Sequence, residues 1–165
     1  MKINGHWKTI HKLFRQAMGN YAIATVNEDG SPHITPIGSI ILRDDTTGFF
    51  FEEYPKRMPR NLDRDNRVCV LALNPSMLFM LRAFVRGKYP SPPAVRLQGT
   101  VGPRRKATAE EIATFQNILW VRLCRLLRLK GYQRAWKSLR HVRDVTFHSF
   151  EPVQTGIMTR HLWKA

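Results

Sequence analysis

Several features that mark common enzyme classes are missing from this sequence of 165 residues. Its two cysteines, Cys69 and Cys124, form no CxxC pair, and neither has a neighbouring histidine that would mark a thiol nucleophile. The glycine-rich phosphate motifs GxGxxG and GxxxxGK[ST] are absent, as is HExxH, and the six histidines are scattered. Glu52 and Glu53 are adjacent in a predicted strand, so they point to opposite faces and form no catalytic carboxylate pair. The sequence therefore gives little support to acid–base catalysis by side chains.

Acidic residues are also scarce, and their scarcity is uneven along the chain. There are 12 Asp and Glu against 27 Lys and Arg, which gives a formal net charge of +15 and a pI near 10.8. Residues 1–82 contain 11 basic and 8 acidic side chains, whereas residues 83–165 contain 16 and 4. A basic half of this kind favours nucleic acid, an anionic lipid surface or acidic ligands as partners, and a solvated basic surface is the alternative.

Long apolar runs are lacking as well. The first residues, MKINGHWKTIHKLF, are amphipathic and lack the apolar core and cleavage site of a signal peptide. The run SMLFMLRAFV is too short to span a bilayer and contains Arg82. Both cysteines lie in apolar runs, which predicts buried thiols in a reducing compartment. We therefore expect a soluble, cytoplasmic protein.

Apolar spacing predicts a single α+β domain over residues 1–165. Helices are expected over 3–18, over an insertion at 76–88, and over a long segment at 108–130 that opens with a capping box. The six predicted strands cover residues 21–27, 33–43, 49–54, 68–74, 94–102 and 141–153. Because tight turns join the first three, we predict a mainly antiparallel, six-stranded barrel with flanking helices. The insertion at 76–88 is apolar almost all round, which favours a core helix, with a lid over an apolar substrate as the alternative.

Basic residues cluster between the third and fourth predicted strands, in the stretch RMPRNLDRDNRV. Lys56, Arg57, Arg60 and Arg64 surround a turn that opens a short helix. Guanidinium groups bind phosphate through paired hydrogen bonds, and the first turn of a helix adds backbone N–H donors. This pattern predicts an anion site, and a solvated basic loop is the alternative.

Three stretches in this order resemble the FMN-binding split barrel of the pyridoxamine 5′-phosphate oxidase-like superfamily. They read ATVNEDGSPHITPIGSIIL, GFFFEEYPKRMPRNLDRDNRVCVLAL and VRLQGTVGPRRKATAEE. The resemblance runs from Tyr21 to Glu111, with a strand over 141–149 placed to close the barrel. It implies a split barrel, FMN as cofactor, and a homodimer that holds FMN between its subunits.

The resemblance also implies roles for particular residues. In this sequence they are Thr35, Pro36, Ile37 and Gly38 against the isoalloxazine ring; Phe51, Glu52 and Glu53 beside the ribityl chain; Lys56, Arg57, Met58 and Asn61 around the phosphate; and Gln98 as a contact from the partner subunit. Many relatives have a lysine or hydroxyl residue where this chain has Met58, and a serine or threonine where it has Lys56. Either Lys56 or Arg60 could supply the missing phosphate contact.

The function implied is that of an FMN-dependent reductase or oxidase acting on an unidentified small molecule. FMN carries out such chemistry itself, which agrees with the lack of a catalytic dyad, so no catalytic residue is named. Vitamin B6 is not the expected substrate, because residues for its phosphate are not identifiable. A deazaflavin is compatible as a second cofactor or substitute. The alternative is a non-enzymatic module that stores flavin or haem, or binds a polyanion through the basic C-terminal half.

Overall fold

The computed structural model describes residues 3–162, with the backbone alone described for Asn4 and Trp120. The helices are α1 (Trp7–Ala17), α2 (Arg57–Arg64), α3 (Met77–Arg86), α4 (Ala109–Gln116), α5 (Leu119–Leu126) and α6 (Lys130–Ala135). The strands are β1 (Tyr21–Val26), β2 (Pro32–Ile37), β3 (Ile41–Leu42), β4 (Thr47–Phe51), β5 (Arg67–Leu73), β6 (Ala94–Val101), β7 (Arg105–Lys106) and β8 (His141–Pro152). Short 3₁₀ segments cover Asn4–His6, Gly156–Met158 and Arg160–Leu162.

The strands form one antiparallel sheet in the order β2-β1-β5-β6-β8-β4-β3, with β7 paired to β8. This confirms the predicted α+β class, in which a curled, antiparallel sheet is flanked by helices. The six predicted strands correspond to β1, β2 with β3, β4, β5, β6 and β8, and β7 is a two-residue addition. Strand β8 pairs with β4, β6 and β7, so it joins the two halves of the sheet.

Strand β8 changes register against β6 at a bulge between Gln98 and Gly99. Gly99 approaches the backbone of β8 so closely that a Cβ atom there would overlap the carbonyl oxygen of Thr146. The same Cβ would lie 3.2 Å from Cδ1 of Phe147. Glycine at this position therefore permits the bend of the sheet.

The sheet buries two apolar clusters, one on each side of β4. The first core lies under α1 and α2 and includes Phe50, Met58 and Phe147. The second core lies on the other side of β4 and β8 and is covered by α4, α5 and α6. Because Phe49 and Phe51 belong to the second core and Phe50 to the first, β4 is buried on both faces. Its run of three phenylalanines follows from this double burial.

The prediction of one long helix over 108–130 is wrong in extent. The predicted capping box of Thr108 and Glu111 is present, but α4 ends at Gln116 and α5 begins at Leu119. Ile118 has an extended ψ of 129°, which turns the chain so that α5 and α6 follow the second core. A straight helix of that length would extend roughly 35 Å and leave this small cluster. The helix expected over 3–18 is a 3₁₀ turn followed by α1.

The insertion at 76–88 is also not a core helix. Ala83 is its single buried residue, whereas Met77 is 87% exposed and Val85 79% exposed. The periodic apolar residues of α3 therefore lie on the surface.

Cys69 and Cys124, expected to be buried, are both half-buried free thiols.

We predict that Gly99→Ala lowers the free energy of unfolding by about 1–3 kcal/mol, because the new methyl group overlaps the Thr146 carbonyl. Urea denaturation of both proteins measures this difference. The matched control is Gly131→Ala in α6, where a Cβ atom meets nothing within 4 Å. That control should be neutral or slightly stabilising. Equal stability of Gly99→Ala and the unmodified chain would contradict the close approach.

Candidate functional site

Helix α2 separates apolar and basic residues onto opposite faces. Met58 and Leu62 point into the first core, whereas Arg57, Arg60 and Arg64 are exposed. The arginines follow one another at helical spacings of three and four, which places them on one side of the helix. They line an open pocket of about 560 Å³ together with Asn27, Glu28, Asp29 and Asn61. We call this the arginine pocket.

The turn between β1 and β2 forms the opposite side of the arginine pocket. Asp29 accepts hydrogen bonds from Ser31 N at 2.9 Å and Ser31 Oγ at 2.5 Å. The side-chain hydrogen bond from Ser31 holds the pKa of Asp29 below its usual value, and the charge of Arg57 acts in the same direction. Asp29 is therefore ionised at neutral pH. Three guanidinium groups face two carboxylates, so the lining has a positive balance.

The three arginines differ in what their side chains contact. Arg64 Nη2 donates to the carbonyl oxygen of Val26 at 2.9 Å, which ties α2 to the end of β1. Within residues 3–162, the side chains of Arg57 and Arg60 make neither a hydrogen bond nor an ion pair within 4 Å. Their guanidinium groups are the donors available to an anion in this pocket.

Asn61 positions α2 rather than facing the solvent. Its Nδ2 donates to Thr25 Oγ1 at 3.1 Å and to Asn27 Oδ1 at 3.0 Å, and the side chain is buried. Nδ1 of His33 lies 3.4 Å from both Thr25 Oγ1 and Thr35 Oγ1. A chain of polar contacts thus connects Asn61 at the arginine pocket with Thr35 in β2. Asn61 and Thr35 were both among the predicted site residues.

Strand β2 lies at one edge of the sheet and pairs with β1 alone. Thr35 is half-buried and Ile37 is buried in the first core, whereas Pro36 and Gly38 are exposed. The backbone N–H of Asn27 donates to the carbonyl oxygen of Ser31, so these two residues form a hydrogen-bonded pair between β1 and β2. Because such pairs alternate along an antiparallel ladder, Pro32 and every second residue after it turn their backbone groups towards the free edge of the sheet. Prolines at such positions sacrifice no ladder hydrogen bond.

An apolar pocket lies at the other end of β2. It has a volume of about 500 Å³ and is lined by Gly38 together with residues of α1, β3, α4 and the start of α5. Phe14, Tyr21 and Ile41 are among its lining residues. The strand of six residues therefore extends from the turn beside the arginine pocket towards an apolar pocket, a span of about 20 Å.

Several predicted site residues do not reach the arginine pocket. The side chain of Phe51 lies in the second core, and that of Met58 is fully buried in the first. Glu53 accepts the backbone N–H groups of Arg140 and His141 at 2.5 and 2.6 Å. Lys56 is exposed at the start of α2 but does not line the pocket. Burial or an existing partner thus removes Phe51, Met58 and Glu53 as side-chain ligands.

Glu52 is bound to an arginine that the sequence did not single out. Arg143 Nε lies 2.9 Å from both carboxylate oxygens of Glu52, and Arg143 Nη2 donates to Asp63 Oδ1 at 2.6 Å. The side chains of Arg143 and Glu52 are 3% and 1% exposed. Since Asp63 belongs to α2, this cluster links β8, the end of β4 and the helix that presents the arginines. Glu52 is thereby a structural residue.

Gln98 lies on the outer face of the sheet. It lines a separate pocket of about 540 Å³ formed by β1, β5, β6 and β8, and Ser149 Oγ donates to its Oε1 at 3.3 Å. The two pockets share no lining residue. Within one chain, Gln98 and the arginines are therefore not brought together.

Over the described residues, no group of three or more His, Cys, Asp or Glu side chains is arranged to hold a metal ion. No helix among these residues is long and apolar enough to cross a membrane.

Comparison with known proteins identifies the family of this chain. The family model described as pyridoxamine 5′-phosphate oxidase matches residues 11–154. This chain belongs to the pyridoxamine 5′-phosphate oxidase family. No curated protein matches the sequence significantly. The family assignment confirms the predicted resemblance.

Solved structures share the fold at low sequence identity. HupZ from Group A Streptococcus is 17% identical with a TM-score of 0.58, covering 90% of this chain and 94% of that one. An FMN-binding protein from Syntrophomonas wolfei is 14% identical with a TM-score of 0.57, covering 93% and 95%. An F420 reductase is 16% identical with a TM-score of 0.51, covering 86% and 94%. These likenesses support the split-barrel fold for this family member.

We predict that Arg143→Met lowers the free energy of unfolding by about 3–5 kcal/mol, because the buried Glu52 carboxylate loses its hydrogen-bond donor Arg143 Nε and retains only the half-exposed Arg104 at 3.6 Å. The matched control is Arg67→Met, which removes an exposed pair with Asp65 and should change the stability little. Urea denaturation at pH 7 compares the two variants. Equal losses in both would contradict a structural role for the Arg143 cluster.

Proposed function

We propose that this chain binds FMN in the arginine pocket and along β2, and that it acts as an FMN-dependent oxidoreductase on a small molecule. The observation on which the proposal depends is the pair Arg57 and Arg60, which face an open pocket and make no side-chain hydrogen bond or ion pair within 4 Å in the described part of the chain. The family assignment and the likeness to an FMN-binding protein support the choice of cofactor.

The donor set suits a phosphate monoester. Two neighbouring guanidinium groups can each give paired hydrogen bonds to phosphate oxygens, and the first turn of α2 adds a favourable dipole. Lys56, at the N-terminal cap position of α2, adds a nearby positive charge. Met58 cannot contribute because it is buried, so Arg60, one turn beyond Arg57, is the residue placed to supply the missing contact.

The remainder of FMN would lie along the edge formed by Thr35, Pro36, Ile37 and Gly38, where Pro36 and Gly38 turn their backbone groups away from β1. Gly38 lines the apolar pocket, whose surface excludes water better than the polar arginine pocket does. Gln98 lies on the outer sheet face, so a second copy of the chain would have to supply it to this site. We therefore include a homodimer in the proposal.

Bound FMN would supply hydride acceptance and donation, which protein side chains cannot perform. The part of this chain is to hold the phosphate, orient the ring against β2 and shield the reacting face from water. The apolar lining beside Gly38 favours a substrate with an aromatic or aliphatic body over a second phosphorylated molecule.

A deazaflavin is the second candidate cofactor. The likeness to an F420 reductase and the net charge of +15 favour it, because a deazaflavin cofactor has an anionic tail. Equilibrium binding of each cofactor to the same preparation distinguishes the two candidates.

We predict that protein incubated with FMN and then desalted retains absorption bands near roughly 370 and 450 nm, as oxidised flavins show. Arg57→Ala and Arg60→Ala should each weaken binding about 10- to 100-fold, the cost of losing a charged hydrogen bond. Arg134→Ala is the control, because Arg134 is exposed on α6, which covers the second core on the opposite side of β4 from α2.

A flat spectrum after reconstitution would contradict the proposal. If both pocket variants bind FMN with unchanged affinity, the chain still binds flavin, but its phosphate does not lie in the arginine pocket. If FMN-loaded protein oxidises neither reduced nicotinamides nor other donors, storage of flavin replaces catalysis as the function.

A further inference from the structure

Helix α3 displays an apolar stripe to the solvent. Met77, Leu81, Phe84 and Val85 recur at helical spacings of three and four, and all are exposed. Helix α3 is held to the fold chiefly through Ala83 and through the contact of Phe79 with the ring of Tyr89. An apolar stripe of this size on one short helix indicates an interaction surface.

Helix α5 displays a second stripe of the same kind. It buries Val121 in the second core but exposes Leu119, Leu123 and Leu126 at i, i+4 and i+7. Leu119 is 82% exposed. The helix therefore has one apolar side against the protein and another apolar side towards the solvent.

The first turns of α3 and α5 both lie beside the end of α1. Met18 is exposed and lines the apolar pocket beside Leu119. It also lines a neighbouring pocket together with Leu78 of α3. Arg15 lines both pockets with it. The ends of α1, α3 and α5 thus form one continuous surface, which we call the apolar–basic face.

Positive charges surround this face and negative charges are absent from its helices. Lys12, Arg15 and Arg82 line the pocket between α1 and α3. Arg86 and Lys88 follow on α3 and just beyond it, and Arg122 and Arg128 lie on and after α5. Residues 66–109 and 112–143 contain no Asp or Glu. Glu110 and Glu111 lie between these ranges on α4, where Glu110 is exposed and Glu111 pairs with Arg43 and Arg105.

We propose that the apolar–basic face binds the surface of a bilayer that contains anionic lipids. Exposed Leu, Met, Val and Phe side chains would enter the boundary between headgroups and acyl chains, and the arginines would contact lipid phosphates. The attachment is peripheral, since no helix of the described chain could span a membrane. Met18 and Leu119 also line the apolar pocket beside Gly38, so the tests of this proposal change residues of α3, which do not line that pocket.

Charge and side-chain type favour a lipid surface over other partners. Nucleic acid would satisfy the arginines, but the exposed leucines and methionines would have nothing apolar to contact on a phosphodiester backbone. Two copies of this face in a symmetric dimer would bring like charges together. An anionic bilayer matches both the apolar stripes and the cations.

Cosedimentation of the full chain with vesicles tests the proposal. We expect binding to phosphatidylglycerol–phosphatidylcholine vesicles, weak binding to phosphatidylcholine alone, and weaker binding as salt rises. The double variants Leu81→Ser with Phe84→Ser, and Arg82→Glu with Arg86→Glu, should each lower the partition coefficient about tenfold or more. These side chains are exposed, and circular dichroism checks that the variants are folded.

Matched controls are Ile34→Ser, an equally exposed apolar residue on β2, and Lys106→Glu on β7. Both should bind vesicles like the unmodified chain. Absence of binding at low salt overturns the proposal, as does an unchanged partition coefficient in the leucine–phenylalanine variant. If sedimentation velocity shows a dimer that the same variants dissociate, the face is a self-association surface and the proposal is likewise overturned.

Discussion

Two opposite charges buried beside the sheet, on Arg143 and Glu52, fix the relation between its strands and the helix that presents the arginines. Taking both side chains out of water is costly, and their two hydrogen bonds at 2.9 Å offset that cost only while the geometry is kept. Arg143 also holds Asp63, so β8, the end of β4 and α2 share one ion cluster. Movement of α2 away from β8 would break the hydrogen bond from Arg143 to Asp63, so this bond helps to keep Arg57 and Arg60 in place.

The first core acts on α2 from the other side. Met58 and Leu62 bury the apolar face of the helix, and Asn61 joins it to β1 through Thr25 and Asn27. Every turn of α2 therefore contributes both a residue that anchors the helix and an arginine that is left outside. A rigid helix with free guanidinium groups is already arranged for its anion, which lowers the ordering cost of binding. This is the physical basis for placing the FMN phosphate there.

Local patterns in the sequence were sufficient to predict the strands, the capping box of α4 and the arginines of α2, because each depends on neighbouring residues. Contacts between distant residues were not accessible in this way: Arg143 meets Glu52 across 91 positions, and Asn61 meets Asn27 across 34. The break at Ile118 depends on the shape of the second core. The exposure of α3 likewise depends on the absence of a covering element, which helical periodicity cannot reveal.

The proposed recognition of a phosphate group by α2 can be measured by a paired calorimetric titration with FMN and riboflavin. The two ligands share the ring and the ribityl chain and differ in the phosphate alone. Charged hydrogen bonds from Arg57 and Arg60 should make FMN bind about 100-fold more tightly than riboflavin in the unmodified chain. This ratio should fall towards one when both arginines are replaced by alanine. Equal affinities for FMN and riboflavin in the unmodified chain would contradict the account.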